Sequence, residues 1–99
     1  MIIRIWRTQV DEAQAERYER FAAEESLPMF RAHQGFEGHL FGRRGSDCVV
    51  ITIWENDADA DALEASPRYR DTVARINAAG FLAGRSQVER FQLHGDVAP

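Results

Sequence analysis

Cys48-Val49-Val50-Ile51-Thr52-Ile53-Trp54 is the stretch whose reading decides the fold. Its β-branched and aromatic residues predict a strand, yet it is apolar on both parities, with Val50, Thr52 and Trp54 on one side and Val49, Ile51 and Ile53 on the other. An antiparallel strand with one face in water shows a polar residue at every second position. Ile2 to Gln9 behaves in the same way, with Ile2 and Trp6 on one parity and Ile3 and Ile5 on the other. Both faces of the sheet are therefore expected to be covered. The simplest cover for a small domain is a second copy of itself, since two-fold homodimers are the commonest soluble oligomers. High β-propensity alone would give a similar run.

Outward from that strand, Ile2–Gln9 reads as β-strand, and Asp11 with Gln14 three residues on gives the pattern of a capping box at a helix start. Ala15, Tyr18, Phe21 and Ala22 follow at helical spacing. Pro28 disfavours helical geometry at Leu27, so the helix is expected to end or kink there, with Met29 to His33 as an irregular turn. Phe36 to Arg43 and Cys48 to Trp54 form a hairpin across Arg44-Gly45-Ser46-Asp47. Asn56 or Asp57 caps a short helix through Ala65, and Ser66-Pro67 starts another that stops at Gly80. Gln87 to Leu93 is the last strand, with a frayed tail over residues 95–99. The order β-α-β-β-α-β predicts one α+β domain over residues 1–99, a ferredoxin-like βαββαβ fold with a four-stranded antiparallel sheet.

With 99 residues and 44% of them hydrophobic, the chain suffices for one core and not for two domains. A net charge of -4 supplies no general attraction to phosphate backbones or anionic lipid, so nucleic acid and membrane are not the expected partners. No apolar run reaches the roughly 20 residues of a spanning helix and no signal-peptide pattern opens the sequence, which makes the cytoplasm the default location. Cys48 is the only cysteine, which excludes an internal disulfide, a Cys-x-x-Cys pair and a multi-cysteine zinc site. All twelve basic residues are arginine, which closes Schiff-base chemistry on a lysine.

Nearly the whole chain resembles the antibiotic biosynthesis monooxygenase family of dimeric α/β-barrel proteins. The resemblance is carried by Met1 to Arg7, Leu27-Pro28, Gly35 to Gly38, Ile51 to Glu55, Ser66 to Tyr69 and Val88 to Phe91, in order and at the expected spacing. It implies that two such domains pair into a dimeric barrel. It further implies oxygenation of a planar aromatic compound without bound metal or flavin, although some members have no known reaction. A related haem-degrading branch uses a β1 asparagine, a tryptophan ending β3 and a helix histidine. Trp54 matches the tryptophan, but Arg7 and Val73 stand at the other two positions, so haem degradation is disfavoured and no cofactor is expected. Close relatives carry a histidine before the last strand's aromatic residue, where this chain has Arg90.

The candidate catalytic residues are Trp54, Tyr69 and His39. Trp54 offers a flat ring for stacking and equally well a core residue, and Tyr69 offers a hydroxyl or a satisfied core tyrosine. His39 is suited to acid or base work near neutral pH, as is His33, though a lone histidine there is more often at a surface or interface. Val50, Thr52 and Trp54 on one strand face and Tyr69, Val73 and Ile76 on one helix stripe are expected to enclose the cavity. Trp6, Arg7, Thr52, Val73 and Arg90 are the candidate substrate-binding residues. Arg4 and Arg7 have opposite parities, so only one can face that cavity, and Arg90 equally suits a dimer salt bridge.

Other constellations fail. Asp57-x-Asp59-x-Asp61 begins like a calcium loop, but Ala62 replaces the turn glycine and Arg68 the bidentate glutamate. The glycines at 80 and 84 lack phosphate-loop spacing, the histidines lack metal-motif spacing, and no serine has nucleophile-elbow glycines. Three functions stay open: a cofactor-independent monooxygenase acting on a small phenolic or quinone-like molecule, a non-catalytic or stress-associated binding dimer, and an isomerase or lyase on the same scaffold.

Overall fold

The computed structural model describes residues 1–95. The expected frayed tail lies, from residue 96 onward, outside the described residues. Four antiparallel strands run in the order β2-β3-β1-β4, with β1 at Ile2–Gln9, β2 at Phe36–Arg44, β3 at Asp47–Trp54 and β4 at Gln87–Gln92. Helices α1 (Ala15–Phe21), α2 (Leu27–Arg31), α3 (Asp57–Ala65) and α4 (Pro67–Ala78) lie over one face. The domain is ferredoxin-like α+β.

The first helical segment departs from expectation at both ends. Asp11 caps it by accepting from the Ala13 amide, but its own N–H donates to Phe81 O, so the reciprocal half of a capping box has no free donor. A single 3₁₀ turn, Glu12–Gln14, results before α1 begins. Pro28 does not end the helix. Ala22–Ser26 forms a π turn in which Leu27 N–H reaches back five residues to Ala22 O, and α2 then continues through Pro28. A proline inside a regular α-helix lacks one hydrogen bond and strikes the carbonyl four residues back, and the wider turn relieves both problems. Met29 and Phe30, expected in an irregular turn, are helical and buried.

Alternation along β3 decides which side is core. Cys48, Val50, Thr52 and Trp54 are buried under the helices, whereas Val49, Ile51 and Ile53 are partly exposed on the opposite face. On that face Ile3 sits across from Ile53 and Phe91, and Ile5 across from Ile51, which pairs in turn with Leu40. Leu40 is 61% exposed and Phe91 51%, so a contiguous apolar patch is left uncovered within one chain.

Beneath the helices the core divides into two clusters. One gathers Ile2, Met29, Phe30, Val50, Ala60 and Leu63 around Trp54, and the other gathers Val10, Ala15, Cys48 and Ile76 around Tyr18 and Phe81. Trp6 packs against both. The turn before β2 needs Gly35, whose φ is +84°, because a Cβ there would fall 2.2 Å from Asp59 Oδ2.

Trp54 is completely buried, its indole N–H donating to Thr52 Oγ1 at 2.8 Å, with Phe30 and Phe36 edge-on to its ring. Trp54→Ala is expected to lower the unfolding free energy by about 3–5 kcal/mol, since the surroundings of so large a void relax only partly into it. Urea unfolding measures it, and a loss below about 1 kcal/mol would show that the ring does not carry the core.

Candidate active site

A cavity opens along the seam between the two core clusters. Its floor is Arg4 and Trp6 of β1 with Val50 of β3. One wall is Tyr18 and Ala22, then Ser26 at the end of the π turn, then Met29 and Phe30 of α2. The facing wall is Tyr69, Thr72, Val73 and Ile76 of α4, a stripe at positions i, i+3, i+4 and i+7. About 450 Å³ of empty space lies between these walls, counting the open mouth.

Its lining is mainly apolar, and among its polar groups Arg4 and Thr72 are engaged within the fold whereas the Tyr18 hydroxyl is buried without a hydrogen-bond partner. Thr72 donates its hydroxyl to Arg68 O at 3.0 Å. Tyr69 is different. Its hydroxyl oxygen accepts from Arg4 Nη2 at 2.6 Å, and Arg4 is only 2% exposed. Arg4 Nε donates to Glu64 Oε2 at 2.8 Å, and Glu64 Oε1 accepts from Arg90 Nη2 at 3.0 Å. Arg90 in turn holds Asp61 at 2.8 Å and Asp57 at 3.3 Å. Burial works to raise the Glu64 pKa, but hydrogen bonds and charge from Arg4 and Arg90 outweigh it and hold the carboxyl below its ordinary value.

Local structure fixes where Tyr69 stands. Ser66 caps α4 by accepting from the Tyr69 amide at 3.0 Å, and Pro67 occupies the first turn, where its missing N–H costs nothing. His33 joins Ser66 to the end of α2, with Nε2 2.7 Å from Ser66 Oγ and Nδ1 2.8 Å from Met29 O. Both cavity walls are thus tied together at one end.

Of the residues singled out in the sequence, Trp6, Val50, Tyr69, Val73 and Ile76 line the cavity. Trp54 does not, because Phe30 and Met29 from the helical continuation past Pro28 stand in the wall where its ring was expected. Thr52 is likewise behind the wall, its oxygen engaged by the Trp54 indole. His39 lies beyond Phe30, between that ring and Phe41, and burial followed by the nearby Arg31 charge pushes its pKa down. Arg7 points to the opposite face of the sheet, paired with Glu89 at 3.0 Å, so Arg4 is the β1 arginine that faces the cavity. Arg90 is outside the lining and pairs within its own subunit, reaching the cavity only through Glu64 and Arg4. Tyr18, Ala22, Ser26, Met29, Phe30 and Thr72 are lining residues that sequence reasoning missed. The signal for Tyr18 was present, one turn before Ala22 on the apolar stripe of α1.

No group of three His, Cys, Asp or Glu side chains among the described residues is placed to hold a metal ion. No helix among them is long and apolar enough to cross a membrane.

The family model described as "Antibiotic biosynthesis monooxygenase" matches residues 1–75. No curated protein matches the chain significantly. Among solved structures, a monooxygenase from Streptomyces coelicolor in complex with nanaomycin D superposes with a TM-score of 0.84 at 18% identity, over 99% of this chain and 91% of that one. SnoaB, a cofactor-independent oxygenase from Streptomyces nogalater, gives 0.77 at 20% identity over 99% and 97%. A protein of unknown function from Nitrosomonas europaea gives 0.79 at 20% identity over 99% and 93%. At such identities the likeness is one of fold.

The charge network has a consequence for acid stability. A carboxyl held below its ordinary value in the folded state contributes stability above its unfolded pKa and loses it as pH falls through the folded one. For Glu64 that loss begins near the ordinary 4.5 and continues below it. Glu64→Gln is expected to be less stable than the wild type at neutral pH and to lose less on acidification through this window. Urea midpoints followed from neutral to acid pH test this, and parallel curves for the two proteins would refute it.

Proposed function

This chain belongs to the antibiotic biosynthesis monooxygenase family, and we propose that it is a cofactor-independent monooxygenase for a small planar phenolic or quinone-like compound bound in the seam cavity. The observation that carries the reading is the Tyr69 hydroxyl, held by the buried Arg4 and bordering an otherwise mainly apolar cleft. A flat aromatic molecule buries its rings against Trp6, Val73 and Phe30 and directs one oxygen toward Tyr69. The structurally similar Streptomyces nogalater protein, itself a cofactor-independent oxygenase, supports the reaction class.

In this chemistry the substrate supplies the electrons. A phenolate delocalises its charge onto the ring carbon opposite the oxygen, and that carbon reduces dioxygen and bonds to it. The resulting peroxide loses the proton from the same carbon, the O–O bond breaks, and the products are a quinone and one water. Phenol and dioxygen together balance these products, with the ring oxidised and both oxygen atoms reduced. The protein needs to exclude water and hold the phenolate oxygen by a hydrogen bond, while the proton lost from the ring carbon leaves with the departing hydroxide as water. Tyr69 has the position to hold that oxygen, and the apolar walls exclude water.

The same reading includes a homodimer. The patch around Ile3, Ile51, Ile53, Leu40 and Phe91 is of the kind a second copy covers, with an interface near the ~1,600 Å² standard. Light scattering at micromolar concentration is expected to give twice the chain mass, and a monomer mass would refute this part.

Oxygen uptake with a panel of naphthols and hydroquinones tests the reaction. Uptake with quinone formation is expected, and Tyr69→Phe is expected to reduce kcat by about 10²-fold or more. Binding of these compounds without uptake would overturn the monooxygenase reading.

A further inference from the structure

We infer that Arg4 is a positioning residue that fixes Tyr69 as a hydrogen-bond donor, so that the site selects planar ligands by one acceptor oxygen rather than by negative charge. This rests on the reading of the seam as a planar-ligand site.

The first step is an inventory of donors. A guanidinium has five N–H donors and no acceptor, whereas a phenol has one hydrogen and two lone pairs. In the 2.6 Å contact, Arg4 must therefore donate and the Tyr69 oxygen must accept. The Tyr69 proton is left to point elsewhere, and no other group among the described residues accepts it. Tyr69 lines the cavity, so that proton is available to a ligand there.

The second step is rigidity. Arg4 cannot turn away from Tyr69 without loosening its Nε bond to Glu64, and Glu64 is clamped from its other oxygen by Arg90. Tyr69 is held from the backbone side by the Ser66 cap. A single hydroxyl orientation is thus enforced from two sides before any ligand arrives, which lowers the ordering cost of binding.

The third step concerns charge. The connected network sets two guanidiniums, Arg4 and Arg90, against three carboxylates, Asp57, Asp61 and Glu64. No surplus positive charge faces the cavity, so a carboxylate or phosphate ester gains nothing from Arg4. A quinone carbonyl or a phenolate oxygen gains the Tyr69 hydrogen bond.

Naphthoquinone and naphthalene serve as probes, since they present nearly the same flat apolar surface and only the first carries acceptor oxygens. Their dissociation constants are measured by quenching of tryptophan fluorescence in the wild type, Tyr69→Phe, Arg4→Met and the double variant. A purely structural effect weakens both probes alike, so the quantity read is the ratio of the two constants. The wild type is expected to prefer the quinone, and each single variant is expected to cut that preference by about three- to tenfold, the scale of one hydrogen bond. The double variant is expected to lose no more than either single one, because Arg4 acts through Tyr69. If Arg4→Met fails to fold, Arg4→Lys, which keeps the charge without the planar fork, is read in the same cycle. An unchanged preference in the Arg4 variant, or a further loss on top of Tyr69→Phe, overturns the positioning role while leaving Tyr69 in place. A wild type without preference, or a Tyr69→Phe protein that keeps it, removes the reading of the cavity itself.

Discussion

A guanidinium buried on a central strand is the constraint on which the rest of this structure depends. Arg4 lies in β1 between β3 and β4 with almost no access to water, where an unpaired charge would cost several kcal/mol. Its partners come from separate elements: Glu64 is near the end of α3 and Tyr69 is in the first turn of α4, while Arg90, opposite Arg4 across the β1–β4 ladder, holds the other oxygen of Glu64. The short Ser66 connection between α3 and α4 must therefore place a carboxylate and a phenol on two sides of one side chain. Its cap geometry, with Ser66 serving as the C-cap of α3 and the N-cap of α4, does so. The same arginine that requires these partners also leaves one of them, Tyr69, bordering open space.

The second constraint comes from Pro28. An uninterrupted α-helix from Ala15 to Arg31 would present one straight stripe to the sheet. The π turn at Ala22–Ser26 rotates the residues after it relative to those before it, so Tyr18 joins one core cluster while Met29 and Phe30 join the other. The cavity lies where those clusters part, and the π turn forms part of its wall. Single π turns recur at functional sites because they displace backbone that a regular helix would keep packed.

These two features also separate what could be read in the sequence from what could not. The strands, the hairpin and the two later helices were legible because local chemistry specifies them: β-branched runs in β1 and β3, Gly45 in the turn, Ser66-Pro67 at a helix start. The passage through Pro28 was not, since its relief is a change of hydrogen-bond register spread over five residues that no single residue announces. That failure carried over to the site. With Met29 and Phe30 assigned to an irregular turn, nothing stands between the Val50, Thr52 and Trp54 face and the cavity, and sharing a face with Val50 says nothing about depth within the core. Arg4 and Arg7 could be placed on opposite faces by parity alone. Which of them was buried required knowing that β1 sets Arg4 against Thr52 and Arg90 under the helices.

Parity along β1 gives the two faces of the sheet separate tasks. Ile3 and Ile5 face outward with Arg7, whose pair with Glu89 is largely exposed, a setting in which ion pairs contribute little to stability. Arg4 and Trp6 face inward, where every polar group needs a partner and every aromatic ring borders either core or cavity. Substitutions on the outer parity therefore act on the patch that a second copy would cover, and substitutions on the inner parity act on the site, although the two sets alternate within eight residues. Because successive side chains of a strand cannot change faces without shifting its register, and β1 is paired on both edges, the two tasks are separable by mutation.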